Sequence, residues 1–531
     1  MAGFMLLFAI VLICCIIFNK LSSKLGIPML LAFIVLGMFF GSDGFAKIDF
    51  DNYKLTEDIC TVALVCIMFY GGFGTKWSST KPIAVRALLL SSVGTVLTAA
   101  IMGLFCHFAI GIGFAESFLI GAVISSTDAA SVFSILRSKR LNLKYNTASM
   151  LELESGSNDP FAYMLTMMIL TCMSTGMSGG DILYMIFAQV VYGLLFGVGI
   201  ALAAGHFMRR FIFNTEGFDM IFLVAIAIAA YAVPVMVGGN GYLGTYVAGI
   251  ILGNRRILNK KALVNFFDGV TGFMQMILFF LLGLLAYPSQ LPEIAPKAIL
   301  IALFVTFIVR PVVVGLILLP HGGKLKQAAL VSWAGMRGAA SIVFAIIAVV
   351  DPAIIANDIF HIVFFIVLFS ILIQGTLLPF AAKKLDMIDD NDDVMKTFTD
   401  YTEEVPIQFI QFKIENNHPW AGKFISQILL PPDSILVLLM RGEERIVPNG
   451  RTRMCVGDTL ILSGRAMGKV EGINLYERDI DENDSWKNKM IKDIPSGESL
   501  IIMIRRGRRV IIPKGNTLVR ENDILVINDV K

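Results

Sequence analysis

The sequence predicts an α-helical polytopic membrane protein with about thirteen transmembrane helices, followed by two small cytoplasmic α+β repeats. Composition gives the first reason: 56% of the 531 residues are hydrophobic, 16% are charged, and the mean hydropathy is +0.74. Soluble domains are much less apolar. The second reason is a series of apolar segments close to the length that crosses a bilayer. The third is a change to polar, strand-like sequence after Lys384.

The apolar segments give thirteen candidate spans, several of them short or interrupted by glycine. They are residues 3–18, 27–41, 59–74, 83–107, 115–136, 148–174, 182–207, 218–236, 241–253, 264–287, 297–319, 326–350 and 356–382. The first stretch lacks a preceding basic region, and Lys20 and Lys24 follow it. We therefore expect it to stay as a helix and not to be removed as a signal peptide.

The basic residues between the spans predict the orientation. One set of alternate loops holds nineteen lysines and arginines, whereas the other holds only Lys47, Lys54 and Lys297. Because basic residues concentrate in cytoplasmic loops, the pattern predicts an outside N-terminus and a cytoplasmic C-terminus. A missed or additional helix would mix the two sets of loops.

The region after the last span divides into a linker and two related parts. The predicted boundaries are a transmembrane domain at 1–385, an acidic linker at 386–404, and repeats at 405–468 and 469–531. The repeats match at an offset of 65, as in "SILVLLMRGEERIVPNG" and "SLIIMIRRGRRVIIPKG", each with the pattern strand, charged hairpin and strand. Neither contains G-x-G-x-x-G after a strand, so no dinucleotide fold is expected. A duplicated module of this size indicates regulation or dimerisation.

Span six carries charge where an apolar sequence is expected. On a helix, Ser155 and Asp159 share one face, and Glu154 and Asn158 share the neighbouring face. Pro160 cannot donate a backbone hydrogen bond, so a carbonyl beside Asp159 is left free. Carboxylates inside a membrane are costly and usually mark ion pathways. The alternative is that these groups only cap or pair within the bundle.

Spans five and twelve are interrupted at similar depths. Span five contains "GAVISSTDAASVF" with Thr127 and Asp128, and span twelve contains "SWAGMRGAASIVF" with Arg337. The two spans are seven helices apart and therefore cross in opposite directions, as an inverted-topology repeat requires. The pattern predicts two discontinuous helices around a site at mid-depth, where unwound carbonyls near Thr127 are available to a cation and Asp128 neutralises a half-helix terminus.

Two arginines in the spans need acidic partners. For Arg337 the candidate is Glu154, which leaves Asp159 free to titrate. Arg310 in span eleven is expected to have a structural role, facing Asp128.

Five motifs carry a family resemblance over nearly the whole chain. They are "SSTDAASVF", "ELESGSNDP", "GMRGA", "AYPSQLPEIA" and "QGTLLPF". Together they resemble the NhaP-type branch of the monovalent cation/proton antiporters, in particular the bacterial potassium/proton antiporters with a cytoplasmic TrkA-C-like domain. The resemblance implies a thirteen-helix homodimer in the bacterial cytoplasmic (inner) membrane, in which a core domain moves like an elevator against a dimerisation domain.

The resemblance also implies roles for individual residues. The implied roles are ion or proton binding for Asp159, coordination by Thr127 and Ser155, support by Asn158, and an ion pair between Glu154 and Arg337. This chain has Tyr70 where many relatives have an acid before the paired glycines of span three, which removes a coordinating role there.

The expected mechanism is competition at one carboxylate. Asp159 holds either a proton or a cation, and alternating access moves one in each direction. Because Asn158 and not an acid stands beside it, one-for-one, electroneutral exchange is expected. Potassium is the favoured cation and sodium the alternative, and no cofactor or nucleic acid is expected.

Other function classes fit the sequence less well, and the cytoplasmic repeats suggest a ligand. A ligand-gated cation channel with a TrkA-C-like sensor is the alternative, but "GGNGYLGTY" lacks the pattern of a potassium filter. The five histidines are scattered, which argues against an enzyme. TrkA-C modules are known for ligand-dependent gating, including by cyclic dinucleotides. The candidate contacts for an anionic ligand such as a nucleotide are Arg505, Arg506, Arg508 and Arg509, for which a solvated turn or a contact with anionic lipid is the plainer alternative.

Overall fold

The chain forms two compact units, Met1–Tyr401 and Thr402–Lys531. The computed structural model describes residues 2–25, 28–139, 141–176, 178–211, 217–255, 257, 260–389, 407–416, 418–431, 434–442, 444–465, 474–481, 484–494, 499–506, 509–511 and 513–529.

The first unit is helical. Its helices are α1 (Ala2–Leu25), α2 (Met29–Phe40), α3 (Tyr53–Gly74), α4 (Lys81–Ile110), α5 (Phe114–Val123), α6 (Ala129–Ser138), α7 (Thr147–Thr175), α8 (Gly179–Arg210), α9 (Phe218–Met236), α10 (Gly241–Gly253), α11 (Lys260–Leu284), α12 (Pro288–Leu318), α13 (Leu325–Trp333), α14 (Ala339–Val350) and α15 (Ile359–Lys384). Every predicted span overlaps one of these helices or two consecutive ones. The number of membrane crossings stays a prediction.

Seven of the described helices are long and apolar enough to cross a membrane. They are α3, α4, α8, α9, α11, α12 and α15, and shorter apolar helices lie within α1, α2, α5, α10 and α14. Helix α7 has the length but carries three carboxylates in its first half. Two of these carboxylates are buried in the bundle, Glu152 at 6% and Glu154 at 1% exposed.

The helices pack in two groups. One contains α2, α3 and α8–α11, and the other contains α4–α7 and α12–α15. Within the first group α3 and α10 approach until their backbones touch, because Gly72 and Gly249 have no Cβ, and a Cβ at either position would overlap a carbonyl of the other helix. Helix α7 meets α10 across the two groups, where Gly156 faces the Tyr246 side chain.

Two breaks in the helices meet inside the second group. Residues 124–128 separate α5 from α6, and residues 334–338 separate α13 from α14. The backbone N–H of Asp128 donates to the Met336 carbonyl at 2.8 Å. A Cβ on Gly338 would overlap the Asp128 side chain, so glycine permits the close crossing.

Loops that the charge pattern assigns to one side also contact one another. On the predicted outer side, the Ser289 N–H donates to Asp43, and the Ala356 N–H donates to Glu116. On the other side, the Asn254 amide donates to the Thr75 carbonyl. These contacts agree with the alternation of the predicted spans, while the absolute orientation stays a prediction.

The second unit contains two four-stranded sheets of identical topology. The strands are β1 (Ile407–Lys413), β2 (Ser434–Arg441), β3 (Glu444–Ile446), β4 (Thr459–Arg465), β5 (Asn474–Asp479), β6 (Ser499–Arg506), β7 (Arg509–Ile511) and β8 (Asp523–Asp529). The sheet orders are β1-β4-β2-β3 and β5-β8-β6-β7. The predicted duplication is therefore present in the fold. Of the predicted linker, residues 390–404 lie outside the described residues, and the boundaries at 385, 404 and 468 stay predictions.

Candidate functional site

Helix α7 brings the polar residues of span six to the two breaks. The Ser155 hydroxyl donates to the Thr127 carbonyl at 2.5 Å, and the Asn158 amide donates to the Thr127 hydroxyl at 2.6 Å. The Ser126 hydroxyl donates to Asp159. The unwound backbone between α5 and α6 is thus held against α7, and Asp159 lies beside it.

Asp128 lies at the same crossing and begins the second half of span five. Its carboxylate accepts a hydrogen bond from the Ser131 hydroxyl in the first turn of α6. A negative charge is favourable at this position, since the N-terminus of a helix carries a partial positive charge.

The acidic partner of Arg310 is Glu154. The guanidinium Nη1 lies 2.8 Å from the Glu154 carboxylate, and both side chains are almost fully buried. Two expectations are therefore wrong: Glu154 does not pair with Arg337, and Arg310 does not pair with Asp128. Sequence order places both arginines near mid-depth but does not say which guanidinium reaches the acid.

Arg337 binds backbone oxygens instead. Its Nη1 donates to the carbonyls of Ser125 and Ser126 at 3.1 and 2.8 Å, and the side chain is 1% exposed. These carbonyls follow the C-terminus of α5, where the helix dipole is negative and carbonyls lack helical partners. Arg337 therefore stabilises the break in span five, which is a structural role.

A cavity of about 380 Å³ reaches the site. Asp159, Ser155 and Asp128 line it, whereas Thr127 and Asn158 are not lining residues. The cavity extends past the end of α3 and the beginning of α2. Thr75, directly after α3, donates to Glu152 near the start of α7, so the cavity lies toward the side where α7 begins.

Further polar residues of this cavity were missed in the sequence. They are Glu152, Asp268, Thr271, Gln275 and Tyr246. Asp268, Thr271 and Gln275 follow one another at i, i+3 and i+7 on α11, so a polar stripe on an apolar helix was the available signal. The Tyr70 hydroxyl donates to Asp268 at 3.2 Å. An acid from α11 thus reaches the position next to Tyr70, where the sequence analysis expected no coordinating group.

The arginines proposed as ligand contacts in the second repeat have different environments. Arg506 makes two bonds of 2.7 Å to Asp523, and Arg441 binds Asp458 in the same way in the first repeat. Arg506 therefore forms an ion pair within its own repeat, and its role as a ligand contact stays a prediction. The Arg505 side chain is exposed, Arg508 lies outside the described residues, and only the backbone of Arg509 is described.

A carboxylate beside two crossing helix breaks, reached by a cavity, is the arrangement that secondary transporters use for ion binding. The comparison with known families agrees with this class. Residues 8–384 match the family described as "Sodium/hydrogen exchanger, transmembrane", and residues 409–466 and 475–527 each match the TrkA-C domain. The chain belongs to the sodium/hydrogen exchanger family and carries two C-terminal TrkA-C repeats, which confirms the predicted resemblance and fold class.

Individual relatives extend the match over most of the chain. The K⁺/H⁺ antiporter NhaP2 of Shewanella baltica (strain OS223) is 29% identical over 486 residues, which are 90% of this chain and 83% of the relative. The K⁺/H⁺ antiporter NhaP of Alkalimonas amylolytica is 30% identical over 452 residues, 84% of this chain and 78% of the relative. The sodium proton antiporter MjNhaP1 from Methanocaldococcus jannaschii at pH 8 has a similar fold, with a TM-score of 0.63, 21% identity, and coverage of 69% of this chain and 97% of that one.

Proposed function

We propose that this cation/proton antiporter exchanges potassium for protons, with sodium as the alternative cation, and that Asp159 is the shared site. The observation that carries the proposal is the distribution of charge partners. Glu154 forms an ion pair with Arg310, and backbone carbonyls accept hydrogen bonds from Arg337. Within the described part of the chain, no basic residue forms an ion pair with Asp159. This carboxylate therefore has no permanent counter-charge and needs a proton or a cation when the site closes.

The oxygens around Asp159 suit a monovalent cation. Besides the carboxylate, the Ser155 hydroxyl and the Thr127 carbonyl lie together at the break. The Ser155 hydroxyl donates a hydrogen bond to the Thr127 carbonyl, which holds these two oxygens side by side. Protonation of Asp159 removes the charge that holds the ion, so proton and cation exclude each other.

One-for-one exchange follows from the neighbour of Asp159. Asn158 is neutral, and its amide is engaged with the Thr127 hydroxyl. It adds no charge and supports the break. Of the carboxylates that line the cavity, we assign the exchange to Asp159 alone, so one proton replaces one monovalent cation and the cycle is electroneutral.

Alternating access requires that the site move between two openings. The cavity lies toward the side where α7 begins, and in the predicted orientation that side is the cytoplasm. We assign this conformation to the inward-facing state. The helix group that carries the breaks is the moving part, and the group of α2, α3 and α8–α11 is the fixed part of a homodimer in the bacterial inner membrane, with the TrkA-C repeats regulating transport from the cytoplasm.

Flux in sealed vesicles tests the proposal. The purified full chain is reconstituted into liposomes, and proton movement is recorded when potassium, sodium, lithium or rubidium is added on one side. Antiport predicts proton movement that requires the added cation. A second series, with equal potassium on both sides, valinomycin to hold the voltage at zero and a pH step as the driving force, should still show it. Potassium flux without an obligatory opposite proton flux would instead identify a channel and contradict the proposal.

A further inference from the structure

The segment after α15 is hydrogen-bonded to the loop that enters α7. The Lys144 N–H donates to the Met387 carbonyl at 2.9 Å, and the Asp389 N–H donates to the Asn142 carbonyl at 3.0 Å. The predicted linker therefore does not begin as free chain, because residues 386–389 belong to the transmembrane unit.

Apolar side chains fix this contact to the helical core. Leu143 and Ile388 form an antiparallel bridge, and Leu143 and Met387 are 4% and 0% exposed. Both belong to the same buried cluster as the helices around the site. A pull on this segment is thus resisted by burial as well as by hydrogen bonds.

Asp386 ties the contact to a second helix. Its carboxylate lies 2.9 Å from the Lys144 ammonium and 3.6 Å from that of Lys326 in α13. The hydrogen bond from Lys144 and the charges of both lysines hold the pKa of Asp386 below its usual value, so it remains ionised at cytoplasmic pH. The neighbouring Gln327 donates to the Tyr145 carbonyl at 3.3 Å and the Thr147 hydroxyl at 3.2 Å.

We name residues 141–147, 386–389, Lys326 and Gln327 the Asp386 clasp. The clasp joins the starts of α7 and α13, the two helices that lead to Asp159 and to the break at 334–338. It also contains the last described residues of the transmembrane unit before the chain continues to the TrkA-C repeats.

We infer that the Asp386 clasp is the positioning element through which the TrkA-C repeats act on the transport site. The inference rests on the proposed regulation by those repeats. A displacement of the chain at residue 390 moves the starts of α7 and α13 together. The Asp386 carboxylate contacts Lys144 before α7 and Lys326 in α13, and the bridge between Leu143 and Ile388 adds a second link to the start of α7. Helices that are rigid between the clasp and the site carry the displacement to Asp159 and to the crossing of the breaks.

The test uses the full chain in liposomes and measures the exchange rate against pH. One variant, Asp386→Asn, removes the charge that joins Lys144 to Lys326. A second inserts a flexible Gly-Ser segment of about ten residues after Asp393, which weakens mechanical coupling to the repeats. A third combines both changes. Each single change is expected to move the midpoint of the pH profile by roughly 0.3 unit or more, which is a twofold change in one equilibrium.

The combined variant decides the inference. If the clasp is the link, the second change adds nothing, and the combined shift equals the larger single shift. Additive shifts, or an insertion effect with no effect of Asp386→Asn, would overturn the clasp and leave regulation by the repeats intact. An unchanged profile after the insertion would contradict the proposed regulation and, with it, the clasp.

Two further measurements distinguish a change in the clasp from a general effect of removing an exposed carboxylate. Amide hydrogen exchange of residues 141–147 in the full chain should accelerate roughly two- to fivefold in Asp386→Asn, as expected for an exposed ion pair. Asp43→Asn is the matched control, since Asp43 is also an exposed carboxylate and joins two loops through Ser289, but on the opposite side of the bundle. An equal shift of the pH profile in Asp43→Asn would contradict the inference.

Discussion

Replacing Glu154 by glutamine should destabilise the helical unit, and a second replacement at Arg310 should restore much of the loss. The ion pair is 2.8 Å long, with side chains 1% and 4% exposed. Removing one partner of such a pair costs about 3 to 5 kcal/mol, because the remaining charge stays buried without a counter-charge. At about 2 °C per kcal/mol, the unfolding midpoint of either single variant falls by roughly 6 to 10 °C.

The double variant Glu154→Gln/Arg310→Met removes both charges and leaves neither buried alone, so its unfolding midpoint should lie above that of either single variant. The assay is thermal unfolding of the detergent-purified chain, followed by the fraction that remains monodisperse after heating. Glu154→Gln/Arg337→Met is the matched control, and its losses should add, because Arg337 binds carbonyl oxygens. Recovery with Arg337 and additive losses with Arg310 would refute the pairing that we describe.

Three other predictions concern charge number, acid stability and domain roles. Asn158→Asp adds a titrating group, so exchange should become sensitive to voltage, at about 2.3 kcal/mol per charge per 100 mV. A series of flux measurements at voltages set with valinomycin tests this. Voltage sensitivity of the unmodified chain would contradict the single-carboxylate mechanism. Burial alone would raise the pKa of Asp523, but the hydrogen bonds from Arg506 hold that pKa below its usual value. The stability that this pair contributes is therefore present above about pH 4 and is lost as pH falls below that value, and urea unfolding of residues 402–531 should lose this pH dependence in Asp523→Asn. Ending the chain near Asp390 should leave exchange active but alter its pH dependence, and a folded, inactive product would show that the repeats belong to the transport machinery.

The breaks in the helices could be anticipated because their cause is local. A run of small hydroxyl residues before Asp128, and glycines on both sides of Arg337, are unfavourable inside an apolar helix and mark interruption directly. The duplication could also be predicted from the sequence, because the offset of 65 residues preserves both the charged hairpin and the acid after it, Asp458 in one copy and Asp523 in the other.

Pairings across the bundle could not be anticipated from sequence. Arg310 and Arg337 are both single arginines in apolar predicted spans, and only the folded bundle decides which one meets Glu154. Asp268 was missed for a related reason. It follows the basic start of α11, where an acid is easily interpreted as a residue of the loop boundary, and the cavity exists only once α11 packs beside α3.

The most direct test of the account is the exchange rate of Asp159→Asn in liposomes. Asparagine keeps the size of the side chain but cannot alternate between a charged and a neutral state. We predict a normal elution profile and a rate below about a tenth of that of the unmodified chain. Asp58→Asn, an exposed acid at the start of α3, should exchange at the normal rate and serves as the control. Exchange by Asp159→Asn at more than a tenth of the normal rate would contradict the assignment of Asp159 as the shared site.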